Sequence, residues 1–432
     1  MGWMLSLKTL LACLLLVVIL FAIWAVERLR PDQKVNPEIV KQAKQTIRYQ
    51  SNLKQHSDFM IMGLDAQQDQ HQNLLARLRY TVSHLDANNY DHKLIIERAF
   101  QIERRLARQD IDERVVELRH LTQFDPHYLW SLTVAEQNKS KLLELIQHEQ
   151  ALLIRYDAYL KQKNEPLLYP AGSILGVSRE KIIGYANTLR LLSFWFMDQP
   201  AEQKLQAVRN YYLALAQLLA GHKINAEETA LIEAMHRSIE LMHILNQQVE
   251  QPIQLAQLNA AQFSSADQAQ YTLAMIYDLL MTTKDEESGR PLFFYEGETL
   301  NDIYAAIQLH QQRAAGPYTD YVKHAVLSLE KEREKEAPAF NSEGQRWVKM
   351  AQIMLKQDEI QRRVLDSKIR LFNHLMQGNT DIELLNQNTQ AYEYYRTSSA
   401  YLPHTLCIRD PYSSDYQREA IYLTDACLLL KP

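Results

Sequence analysis

Residues Thr9 to Val26, TLLACLLLVVILFAIWAV, carry no charge. As a helix rising about 1.5 Å per residue this run is about 27 Å long, enough for the hydrocarbon core of a bilayer. No other stretch limits the fold so strongly. In a water-soluble domain the run would need apolar neighbours on every side, whereas in lipid it needs none. Trp3 and Trp24 stand near its two ends, where amphipathic rings favour the membrane interface. A cleaved signal peptide would need small residues at both −3 and −1 of a cut. Ala25 has Ile23 two positions before it, and Ala22 has Leu20. The run therefore reads as a retained single-pass signal anchor.

Two lipid signals are weaker. Leu10-Leu11-Ala12-Cys13 loosely resembles a lipobox, but the apolar run follows Cys13 instead of preceding it. Met1-Gly2 with Ser6 fits a myristoylation pattern that a spanning helix would make redundant. Orientation draws on opposing features. Only Lys8 and the terminal amine precede the run, while Arg28, Arg30, Lys34, Lys41 and Lys44 follow it, which by the positive-inside rule favours a cytoplasmic body. Against this, large domains translocate despite flanking charge, and a short N-terminal tail suits an N-in anchor. Cys407 and Cys427, twenty residues apart, could close a disulfide worth about 3 kcal/mol or remain two free core thiols. The balance favours a body outside the cytoplasm, at an inner (plasma) membrane.

The remaining chain reads as helical. Asn36-Pro37-Glu38 has the order of N-cap, first-turn proline and first-turn acid. Asn225-Ala-Glu-Glu228, Thr299-Leu-Asn-Asp302 and Thr380-Asp-Ile-Glu383 resemble capping boxes. Apolar residues recur at three and four, most clearly over 140–163 and 342–377. Helices are expected at 36–53, 66–87, 91–108, 111–122, 126–137, 140–163, 178–197, 200–220, 225–249, 265–283, 299–313, 318–336, 342–377 and 380–397. With 11 Gly and 13 Pro in 432 residues, Gly-rich turn architectures and phosphate-cradling loops are disfavoured. No fixed repeat period emerges, which argues against a solenoid. The expected fold class is all-α: a tail and transmembrane anchor over 1–30, an elongated non-repetitive helical bundle over 31–400, and a small irregular cap or hairpin over 401–432. Two lobes meeting near 164–177 (NEPLLYPAGSILGV from Asn164) are an open alternative. In the cap, Ala420 to Thr424 lean towards strand and Asp410-Pro411-Tyr412 is turn chemistry.

Chemistry-bearing patterns are few. Glu233, His236, Glu240 and His243 repeat Glu-x-x-His twice and fall within an arc of about 80° on a helical wheel. Carboxylates and imidazoles on one face suit Zn or iron. Glu117 and His120, with Glu144 or Glu149, offer further ligands for a bundle-type site. The competing reading is stronger: Leu231, Met235, Met242, Leu245 and Val249 lie about 150° away, so the Glu/His stripe should be the solvated face. Gly172-Ser173 lacks the strand context of a nucleophile elbow, and no H-E-x-x-H, P-loop or dinucleotide fingerprint occurs. Arg290, Phe293, Phe294 and Tyr295 combine residue types found at interface hot spots, with a loop folded back into the core as the alternative. Glu330 to Glu336 reads as a solvated helix end. The tyrosines, 23 against 11 phenylalanines, read as packing between helices, with a ligand groove as the alternative. A net charge of −5 and a pI near 6.3 offer nucleic acid no basic field. The sequence thus points to a membrane-anchored helical binding protein, a scaffold, assembly factor or chaperone, whose partners are the membrane through 9–26 and another protein, with no cofactor. An enzyme with a Glu/His site on 225–249 is the rival.

Overall fold

The computed structural model describes residues 12–22, 32–46, 57–83, 85, 90–122, 132–161, 179–221, 225–256, 272–274, 276–277, 295–314, 342–378, 383, 393–397, 405–409 and 427–429. Helix α1 covers 12–22. It is followed by α2 (Pro37–Thr46), α3 (Ser57–Ile61), α4 (Gln72–Ser83), α5 (Tyr90–Leu106), α6 (Ile111–Thr122), α7 (Leu132–Gln137), α8 (Lys139–His148), α9 (Gln150–Leu160), α10 (Arg179–Trp195), α11 (Ala201–Gly221) and α12 (Asn225–Asn246). Then come α13 (Glu296–Ala314), α14 (Ser342–Met376) and strands β1 (Glu393–Thr397), β2 (Thr405–Arg409) and β3 (Cys427–Leu429). The fold is helical, closed at its C-terminal end by an antiparallel sheet of order β1-β2-β3.

Asn36 caps α2 as the sequence implies: its Oδ1 accepts the Glu38 amide at 2.9 Å. Three expected helices differ. The 140–163 stripe is split at Glu149, which is drawn into the interior by a salt bridge to Arg108 and by the Tyr185 hydroxyl, which donates to it at 3.2 Å. Ahead of α4, Ala66 bridges Ala107, the chain bends at 67–68, and 69–71 form a single 3-10 turn. Residues 393–397, expected to end a helix, are strand β1, which pairs with β2 from Glu393↔Arg409 to Thr397↔Thr405. Tyr394, Tyr395 and Thr397 favour this extended state. Residues 318–336, the 164–177 break and 420–424 lie outside the described residues.

Two of the hydrophobic clusters share one spine. The larger joins α6 to α12 with the C-terminal half of α14 and with Leu406 and Leu428 of the sheet. The smaller gathers Ile39 of α2, Leu273, Ile276, Leu300, Ile303 and Ile307 around Val348, Ala351 and Leu355 of α14. Helix α14, 35 residues and about 52 Å long, runs through both. The segment leading into α2 is fastened to the start of α13. The Asp32 carboxylate accepts the Gly297 and Glu298 amides at 2.8 and 3.1 Å, an acid at a helix N-terminus, and Asn301 Oδ1 accepts the Asn36 amide at 2.9 Å. A Cβ at Gly297 would lie 1.8 Å from the Gln33 carbonyl oxygen, so only glycine permits this approach.

Helix α1 stands apart. Leu14, Leu15, Leu16, Val17, Val18, Ile19, Leu20 and Phe21 are all exposed, between 48% and 64%. The described part of the apolar run is eleven residues, about 16 Å. Among the described residues no helix is long and apolar enough to cross a membrane.

Candidate functional site

The Glu/His stripe is not a solvated face. Helix α12 packs against α10, α11 and α14, and from Ala230 to Asn246 only Glu233 and Ile244 escape full burial. His236, Glu240 and His243 are 2%, 6% and 4% exposed. A helical wheel with one covered side does not describe α12, because α14 covers the polar side as well.

What meets the stripe is a charged section of α14. Lys368, fully buried, donates through Nζ to Glu240 Oε1 at 2.7 Å. Arg237, one turn before Glu240, donates from Nη1 to the same carboxylate at 3.1 Å. On α14, Glu359, Arg362, Asp366 and Ser367 are also buried. Glu359 pairs with Arg363, and Asp366 accepts from Arg370 Nε at 2.8 Å. Burial alone would raise the Glu240 carboxyl, but Arg237 and Lys368 outweigh it and hold the group below its ordinary range. For His236, burial and then Lys368 and Arg237 all act in one direction and hold the ring neutral, well below its ordinary value. His236 Nδ1 is buried with no hydrogen-bond partner among the described residues. His243 has its Nε2 3.1 Å from Gln247 Nε2 and its ring edge-on to Phe372. On α11, Tyr212 lies buried nearby, and burial, then Asp366, push its hydroxyl pKa upward.

This arrangement is an internal ion cluster. Glu240, the central oxygen donor for a metal, is engaged by two cations, and among the described residues no group of three or more His, Cys, Asp or Glu is arranged to hold a metal ion. The proposed additional ligands have partners elsewhere. Glu117, on the exposed side of α6, accepts from Arg114 at 2.8 Å, and Glu149 is bound to Arg108 and Tyr185. His120 and Glu144 are exposed. A catalytic or metal role for the stripe would first require Glu240 to leave Lys368 and Arg237.

Of the aromatic group, Tyr295 is buried at the start of α13, where its carbonyl accepts from Thr299 N and Oγ1 at 3.0 and 2.6 Å. Arg290, Phe293 and Phe294, like Ser173 and the 330–336 charge run, lie outside the described residues. Tyr211 and Tyr156 are interior packing groups: their hydroxyls are 2.9 Å apart, and Tyr211 donates to Asn187 Oδ1 at 2.6 Å.

A second buried polar assembly escaped the sequence reading. The turn at 62–67 is held by three arginines. Arg79 donates to the Met62 carbonyl, Asp65 and Glu103. Arg155 donates to the carbonyls of Leu64 and Ala66 at 3.0 and 2.9 Å, and Arg108 offers its amide to the Asp65 carbonyl at 2.9 Å. A Cβ at Gly63 would lie 2.2 Å from the Gln72 carbonyl oxygen. The one available signal was Gly63-Leu64-Asp65-Ala66, a glycine and an acid within an apolar stretch, which the helical periodicity around it obscured.

The chain matches no protein-family model, no curated protein and no solved structure.

Proposed function

We propose that this chain is a single-pass, membrane-anchored helical binding protein, a scaffold, assembly factor or chaperone, held through residues 9–26 with its body on the extracytoplasmic side of an inner (plasma) membrane. The observation that carries the reading is α1: eight consecutive large apolar side chains exposed on every side of a helix. A water-soluble monomer rarely leaves so large a contiguous apolar patch uncovered, and lipid covers it without further protein. The uncharged sequence extends beyond the described helix in both directions, to Thr9 and Val26. The docking of Asp32 and Asn36 on α13 adds support. It ties the chain ten residues after α1 to the smaller core, so a body anchored this way is held close to the bilayer.

The test is fractionation of the intact chain, followed by protease treatment of osmotically opened cells and by crosslinking in native membranes. The expected results are sedimentation with membranes after alkaline wash, degradation of the body by added protease, and a discrete crosslinked species containing a second protein. Release by alkaline wash overturns the anchor, protection from protease overturns the orientation, and a chain crosslinking to nothing overturns the binding role.

A further inference from the structure

The β2–β3 ladder pairs Thr405 with Leu429, Leu406 with Leu428 and Cys407 with Cys427. The two cysteines, twenty residues apart in sequence, are thus directly opposed in an antiparallel pair. Residues so opposed have Cα atoms about 4.5 or 5.5 Å apart, within the Cα range of about 4.4–6.8 Å that disulfides span. The neighbouring pair, Leu406 and Leu428, is fully buried in the larger core. Strand alternation puts positions 407 and 427 on the other face of the ladder from Leu406 and Leu428. The ladder is also short. β3 has three residues, and a strand that small holds poorly by hydrogen bonds alone.

We propose that Cys407 and Cys427 form an intramolecular disulfide that fastens β3 to β2. Each thiol loses a proton. One thiolate attacks the disulfide of an oxidant, an oxidoreductase in the cell or oxidised glutathione in vitro, and displaces one of its sulfurs as a thiol. The second thiolate then breaks the mixed disulfide, so the oxidant leaves as two thiols and carries both electrons. The inference rests on strand register alone and does not depend on the membrane reading.

The test uses the folded full-length chain in oxidised glutathione, quenched by alkylation and mapped by mass spectrometry without reductant. The expected product is the Cys407 peptide joined to the Cys427 peptide, lighter than the two thiol peptides by two hydrogens and separated by reductant. After cleavage between 410 and 426, the C-terminal fragment should stay attached until reduction. Glutathione adducts on the two cysteines separately, alkylation of both after oxidant, or a link from either to Cys13 would overturn the proposal. Because the buffer supplies the oxidant, failure here leaves the result for membrane anchoring untouched, and the reverse also holds.

Discussion

Helices α1 and α12 invert the usual relation between polarity and burial. Every described side chain of α1 is uncharged and exposed, whereas α12 carries Arg237, Glu240 and two histidines and is buried from Ala230 to Asn246 except at Glu233 and Ile244. Local hydropathy would exchange the two. The difference is in what each helix is given as a neighbour. Helix α12 lies among α10, α11 and α14, and α14 supplies the cation that makes an interior carboxylate tolerable. Among the described residues none covers α1, and lipid would need no matching protein surface. Burial of charge and exposure of apolar surface thus have one explanation, which is whether the surroundings satisfy the side chain.

The contrast can be broken most severely at α1. Replacing both Leu15 and Val18 with lysine places two charges at the centre of the apolar run, at about 2.5–3.5 kcal/mol each on insertion scales. The expected outcome is loss of the chain from floated membranes, with the body still helical by circular dichroism. Membrane retention of this variant would mean that some other surface does the anchoring.

The α12–α14 junction gives the next effect. Glu240→Ala leaves Lys368 and Arg237 buried without their shared carboxylate, and should cost about 3–5 kcal/mol in denaturant unfolding of the body. Glu240→Leu combined with Lys368→Met should cost less than the sum of the single changes by about 1–3 kcal/mol. Strict additivity would show that the pair is not coupled and that the junction is held by packing alone.

The smallest effect is a pH dependence. Because folded His236 stays neutral, the unfolded chain alone takes up a proton there as pH falls below about 6.5, and stability declines on acidification. Glu240 has the same sign at lower pH: its ionised form stabilises the fold fully above its ordinary value, and the contribution is lost as pH falls through the depressed folded value. Between about pH 6.5 and 5, His236→Gln should flatten the slope of unfolding free energy against pH by up to about 1.4 kcal/mol per unit. An unchanged slope would assign the acid sensitivity to other groups.

Much of the helical framework was readable in the sequence because its signals are local. The Asn36 cap, the ends of α6 and the extent of α14 all follow from capping residues and a 3.6-residue period. The candidate site was half readable. Spacing put Glu233, His236, Glu240 and His243 on one face, but whether that face meets water depends on Lys368, which lies 128 positions from Glu240 in the chain. The turn at 62–67 was not legible for the same reason, since Arg79 of α4, Arg155 of α9 and the backbone of Arg108, between α5 and α6, reach it from distant parts of the chain. Strand β1 was missed because its five residues, EYYRT, show no strand alternation and sit at the edge of a longer helical pattern. The spacing of Cys407 and Cys427 was visible, but their opposition across a ladder is a property of register.

Cys13, exposed on α1, supplies a native probe of the central claim. Membrane fragments bearing the full-length chain and open to reagent on both faces would be treated with a water-soluble, membrane-impermeant maleimide, before and after detergent, and labelling at Cys13 read by peptide mapping. Residence of α1 in the bilayer predicts that Cys13 is protected in membranes opened to reagent on both faces and labelled once detergent replaces the lipid. Equal labelling in both conditions would put α1 in water and contradict the account.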